Sequence, residues 1–192
     1  MAAEICIIDE NYVKKYTQVN DAVDSNRIYQ AIYTAQDLSL EQYLGTDLWN
    51  KIKNDSAAGT ISGNYLALRD NYIRKSLVWW VMVQLLPSMY YRYDNGSLVK
   101  KNSDNSEVIL PSELDRLIAD ARGKALYYTQ RMVDYLCHNS SLFPEYTSNE
   151  FPDRHPVKNV NGRSKMVFST GNTPTSRSSN DVRFTNRYLN GF

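Results

Sequence analysis

Apolar residues recur at helical spacing in three stretches of the chain, separated by polar clusters. In the first, Asp24 and Ser25 are good N-cap residues. Ile28, Ala31, Ile32, Ala35 and Leu38 follow as one apolar stripe. Leu40, Tyr43 and Leu44 continue the apolar character slightly off that stripe. Gly45 then supplies a residue free to take positive φ. Thr46 is placed to cap the next helix, and Leu48, Trp49 and Ile52 give it a buried face. The second stretch follows a linker, 54–63, and opens at Asn64 as a cap. Leu66, Ile73, Leu77, Trp80, Val81 and Leu85 form its stripe, and residues 77–86 are apolar nearly all round. That predicts the central, most buried helix. Trp79 and Trp80 must face different directions, so two layers should pack on it. Pro87 should kink or end it. The third helix opens at Pro111, with Ser112 and Asp115 at capping-box spacing. Leu114, Leu117, Ile118, Ala121, Ala125, Tyr128, Met132, Tyr135 and Leu136 give it a nearly unbroken stripe. Gly123 lies off that stripe, where it costs about 1 kcal/mol and leaves room for a neighbour.

The remaining stretches are not helical in pattern. Ile5 to Ile8 reads as an edge strand or extended arm. Residues 97–100 and 107–110 flank a polar turn and read as a β-hairpin or long loop over 95–110, introduced by the turn signal Asp94-Asn95-Gly96. After Leu136 the pattern dissolves into a segment rich in Pro, Ser, Thr and Asn that still carries Phe143, Tyr146, Phe151, Val160, Met166, Phe168, Phe184, Tyr188 and Phe192. These apolar and aromatic residues read as anchors on a segment that orders against a partner. The fold expectation is therefore mainly α: an arm (1–23), a small helical bundle (24–140) and an extended docking tail (141–192).

Charge sharpens this division. The whole chain of 192 residues has a net charge of +1. Residues 151–192 hold seven Lys/Arg against two acids, so the tail is basic and the body acidic. Such a tail docks on something acidic: another protein, nucleic acid, or a neighbouring body. Fifteen tyrosines suit either an interface or the lining of helix faces. Cys6 and Cys137 read as reduced thiols. No signal peptide is expected, and the ten-residue apolar run 77–86 is too short for a bilayer, which needs roughly 20 residues. Phosphate-loop, dinucleotide, nucleophile-elbow and zinc-protease motifs are all missing. Cys137-His138 lacks companions for a metal site. The expectation is a protein without catalytic residues, metal or cofactor.

The first helix carries Ala35-Gln36 and ends in Leu44-Gly45-Thr46-Asp47-Leu48-Trp49. In this it resembles the head–tail connector (adaptor) proteins of tailed bacteriophages. The opening, residues 7–24, is similar to connectors of crAss-like phages. The order of parts over about 4–140 follows the same family: arm, helix ending in Leu-Gly, short helix with Trp49, linker, long apolar helix, hairpin, capped helix. The resemblance implies a virion structural protein, made in the host bacterial cytoplasm and placed at the capsid–tail junction. It implies a homo-oligomeric ring, usually dodecameric, beneath the portal protein. Such a ring extends the channel for genome ejection, passes DNA without sequence-specific binding, and contacts a downstream tail or second ring protein but no membrane.

On that basis the tail residues Phe151, Arg154, Arg163, Met166, Phe168 and Arg177 are expected at the portal or a neighbouring subunit. So are Arg183, Phe184, Arg187, Tyr188 and Phe192. Leu98, Lys100, Lys101 and Val108 are expected in a loop facing the channel or next ring. Ile28, Ile32, Trp49, Leu77, Trp80, Val81, Leu117, Ala121, Tyr128 and Met132 are expected in the core. The alternative is a helical nucleic-acid-binding protein that uses the basic aromatic tail for phosphate neutralisation and base stacking.

Overall fold

A computed structural model describes residues 5–94, 97–100, 109–148, 150 and 153–160. The chain is mainly helical, and the described residues belong to one compact unit; 162–192 lie outside them. The elements run α1 (Glu10–Tyr16), α2 (Ser25–Ala35), α3 (Glu41–Leu44), α4 (Thr46–Ala57), α5 (Gly63–Leu68), α6 (Arg74–Tyr90), β1 (Tyr91–Asp94), β2 (Ser97–Lys100), α7 (Pro111–His138) and α8 (Pro144–Ser148). A π turn, Gln36–Leu40, joins α2 to α3, and a second, Arg69–Ile73, joins α5 to α6. Each pair is thus one continuous helix with a wider turn inside it.

The π turns explain the apolar residues that fell off the stripe. Leu38 is 58% exposed, whereas Leu40 and Leu44 are fully buried and Tyr43 nearly so. A turn with i→i+5 bonds takes one residue more than an α turn. The buried face therefore passes from Ala35 to Leu40, and Leu38 rotates to solvent. The same spacing, from Leu68 to Ile73, carries the buried face into α6.

α6 is the central helix. α2 packs on one side of it, α7 on the other, and α1 also touches it. Of its residues Leu77, Val78, Trp80, Val81, Val83 and Leu85 are buried. Pro87 does not end it. The last turn continues to Tyr90, held by the Arg27 Nη1 bond to the Ser88 carbonyl (3.1 Å) and by burial of Tyr90. α7 starts two residues earlier than the Ser112 cap would place it. Leu110 N–H donates to Glu113 Oε2 (2.9 Å), with Pro111 in the first helical position.

Of the residues expected in the core, Ile28, Ile32, Trp49, Leu77, Trp80, Val81, Ala121 and Met132 are buried. Leu117 is not: it is 47% exposed. Tyr128 is half-buried. The buried row of α7 runs Leu114, Ala121, Ala125, Thr129, Met132, Val133 and Leu136. Leu117 and Tyr128 flank that row.

The hairpin also differs from expectation. Ser97–Lys100 pairs antiparallel with Tyr91–Asp94, not with 107–110. Asp94 lies opposite Ser97, so Asn95-Gly96 is the connection, a dipeptide favoured in two-residue hairpins. Ile109 and Leu110 are exposed and lead into α7, while Lys101 and Val108 lie outside the described residues.

The body also extends beyond residue 140. A 3-10 turn (Ser140–Leu142) and α8 follow α7, and Phe143, Tyr146 and Val160 are buried in the main core. These anchors pack on their own body.

At the α6–α7 contact sits a buried polar knot. Thr129 Oγ1 donates to the Ala125 carbonyl (2.7 Å) and accepts from Trp80 Nε1 (3.0 Å). Ser76 Oγ lies 2.6 Å from it. Thr129 has one proton and has used it, so Ser76 is the donor. Removing the shared acceptor with Thr129→Val leaves two buried donors unpaired, and should lower stability by about 1–3 kcal/mol. Urea denaturation reads this directly. A loss within about 0.5 kcal/mol of zero would show that the knot is not a stabilising contact.

Candidate docking surface

Two hollows of the body lie beside Trp79. The connector between α1 and α2, residues 17–24, stands over α6 and α7 and leaves a cavity of about 790 Å³. Its floor is apolar, with Trp79, Met82, Leu86, Met89 and Leu117. A second hollow of about 550 Å³ lies on the other side of Trp79, lined by Ala119, Gly123, Tyr127 and Tyr128. Lys124 divides the two. Its Nζ sits 4.6 Å from the Trp79 ring centroid and 2.7 Å from Asp120 Oδ2. Trp80, the adjacent indole, points the other way into the Thr129 knot.

The chemistry of this surface is contact chemistry. Flexible methionines and aromatic rings adapt to a partner's shape. Tyr127 is 60% exposed at the second hollow, and Leu117 and Tyr16 are about half exposed at the first. Among the described residues no group of three or more His, Cys, Asp or Glu could hold a metal ion. No described helix is long and apolar enough to cross a membrane.

A second feature is the strap formed by residues 153–160. Arg154 N–H donates to Thr46 Oγ1 (3.0 Å), and Thr46 N–H donates to the Arg154 carbonyl (3.1 Å). Val157 N–H donates to the Gln42 carbonyl (2.8 Å). Thr46 therefore does not cap α4 with its side chain; Gly45, at φ 76°, precedes the helix, and the Thr46 hydroxyl holds the strap. Below the strap, Tyr65 Oη donates to Glu145 Oε2 (2.6 Å) and the Tyr65 ring meets Phe143 edge-on. Tyr72 stacks on Tyr135 at 4.3 Å between centroids. Many tyrosines thus line helix faces.

Of the tail residues expected at an interface, Arg154 alone is among the described residues. Its main chain is committed to Thr46, and its Nη1 lies 3.3 Å from the Asp37 carbonyl. Phe151, Arg163, Met166, Phe168, Arg177, Arg183, Phe184, Arg187, Tyr188 and Phe192 lie outside the described residues. Leu98 and Lys100 fall on β2. The surface around Trp79 was not singled out from sequence. The available signal was the width of the α7 stripe, which is broader than one packed face.

A family model described as a family of unknown function (DUF6712) matches residues 40–156. That is more than half of the chain, and the chain belongs to this family. No curated protein and no solved structure matches it. The matched stretch runs from the end of the first π turn into the strap, so it contains both partners of the Thr46–Arg154 clasp.

Two outcomes follow from this geometry. A Cβ on Gly123 would meet nothing within 4 Å. Gly123→Ala should therefore stabilise the isolated chain by about 0.5–1 kcal/mol; destabilisation in a thermal melt would mean the hollow is tighter than described. The second outcome concerns alkaline pH. Burial and the bond to Glu145 push Tyr65 far above the ordinary tyrosine range, and burial with the neighbouring Cys137 does the same to Tyr146. The folded state thus holds these protons more tightly than the unfolded chain, whose tyrosines titrate near about 10. Their contribution is complete below that pH and is lost as pH rises above it. The urea midpoint should fall above pH ~10, and fall less in Tyr65→Phe. Parallel declines in the two proteins would refute the assignment to Tyr65.

Proposed function

We propose that this chain is a head–tail connector of a tailed bacteriophage. Copies form a ring, dodecameric by the family resemblance, beneath the portal. The ring extends the DNA channel and joins capsid to tail. The observation that carries this reading is the ordered set of parts over residues 4–140, with Leu44-Gly45-Thr46-Asp47-Leu48-Trp49 at its centre. The surface around Trp79 supports it, because a ring subunit needs an adaptable face for the next copy.

The other parts have roles in the same scheme. Residues 162–192 are the extension that reaches the portal or a neighbour, with their arginines and aromatics as anchors. The β1–β2 hairpin faces the channel or the next ring. A basic extension that orders only on its template delays assembly until the portal is present, because ordering entropy is offset only by docked contacts. The net-acidic body lets DNA slide past without adhering.

Native mass spectrometry of the full chain, alone and with the portal protein of the same genome, tests the proposal. The expected result is a monomer or small oligomer alone and a ring on the portal. Truncation after Asn161, which leaves the compact unit intact, should abolish loading. A full chain that ignores the portal rejects the reading. If it instead captures DNA with steep salt dependence, lost on the same truncation, the protein is a nucleic-acid-binding one.

A further inference from the structure

The N-terminal arm is held as a bound peptide is held. Ile7 N–H donates to Gln36 Oε1 (2.8 Å), and Gln36 Nε2 donates to the Ile5 carbonyl (3.0 Å). One carboxamide therefore reads a carbonyl and an N–H two residues apart, just where the arm bends at Ile7 and Ile8. From the other side Arg74 Nε donates to the Ile7 carbonyl (3.3 Å), while its guanidinium carbon lies 4.9 Å from the Tyr12 ring centroid. Ile7 and Ile8 fill the apolar floor. Gln36 opens one π turn and Arg74 directly follows the other. Both clamp residues thus stand at the two places where the helices leave regular α geometry, a feature frequent at functional sites.

The way this segment is tied to the rest of the body is weak by comparison. Among the described residues the connector's hydrogen bonds are local: Thr17 to Val13, Val19 to Thr17, and Ala22 and Val23 to Asn20. Its ion pair, Asp21 with Lys14, is also internal to the segment. Val19 is its buried residue, and beneath it lies the cavity of about 790 Å³. Straightened, residues 17–24 would reach roughly 25–30 Å.

We infer that the groove between Gln36 and Arg74 is a peptide site that accepts residues 5–16 from a second copy, so that assembled copies exchange their arms. The contacts made in exchange are the same as those made within one chain. The preference between them is then set by concentration and connector geometry rather than by new chemistry, which is why exchange of an identical element is a low-cost route to assembly. This holds whether or not the assembly sits on a portal.

The test uses the full chain in two isotopic forms, mixed, with photo-leucine at Ile5. After irradiation, cross-linked peptides joining the arm to the stretch around Gln36 are sorted by label. Exchange predicts mixed-label pairs that increase with protein concentration. Same-label pairs alone, up to the highest soluble concentration, would overturn the inference. A second measurement examines the site directly. Full-length Ile7→Asp should expel its own arm and bind a synthetic peptide of residues 5–16. Adding Gln36→Leu should weaken that binding by at least about tenfold. A folded Ile7→Asp chain, by circular dichroism, that ignores the peptide would show that no separable site exists. An Ile7→Asp chain that is unfolded leaves the decision to the mixed-label experiment.

Discussion

Everything in the body hangs on two turns that hold one residue too many. Residues five apart on an α-helix point about 140° away from each other. Ala35 and Leu40 are nevertheless both fully buried, and so are Leu68 and Ile73. The wider turns reconcile those positions. Without the first, Leu40 and Leu44 would rotate out of the core, and the chain would reach Gly45 facing the wrong way for α4 to fold back. Without the second, the apolar faces of α5 and α6 could not be buried together, and Tyr65 could not meet Phe143 while Ser76 and Trp80 meet Thr129.

The helix–glycine–helix unit also gathers the two ends of the body. Gln36 holds the arm, while Gln42 and Thr46 hold the strap, all within eleven residues. In each case the partner is main chain rather than a side chain. Main-chain contacts fix the position and register of the held segment while asking little of its sequence. Apolar residues add depth: Ile7 and Ile8 on one side, Val160 on the other. The ends are thus fixed by a few directional bonds together with apolar residues that belong to the same core as the helices.

The helices, their order and their buried faces were legible in the sequence, because burial on a regular helix leaves a period. Asp24 as N-cap and Gly45 at positive φ were legible for local reasons. What failed was everything that breaks the period. Leu38 and Leu40 were misplaced because a π turn has no sequence signal of its own. Leu117 was misplaced because a stripe does not say how much of itself a neighbour covers. α8 is five residues long, too short for periodicity, so Phe143 and Tyr146 looked like anchors for a partner. The hairpin register turned on choosing Asn95-Gly96 over a longer polar turn. The strap was invisible, because the pairing of Thr46 with Arg154 joins residues 108 apart. The surface around Trp79 depends on three separate elements meeting, which no single stretch encodes.

That long separation bears on how the protein is made. At about 5–20 residues per second, a ribosome takes roughly 5–20 s to pass from Thr46 to Arg154. Throughout that interval α2, α3 and α4 can form, yet the groove beside Gly45 stays unfilled and the Thr46 amide and hydroxyl face water. The body is therefore sealed last at the place where its first helix–glycine–helix unit was laid down. A nascent chain stalled within α7 would present that vacant edge to any extended peptide nearby, including the strap of a completed sister chain.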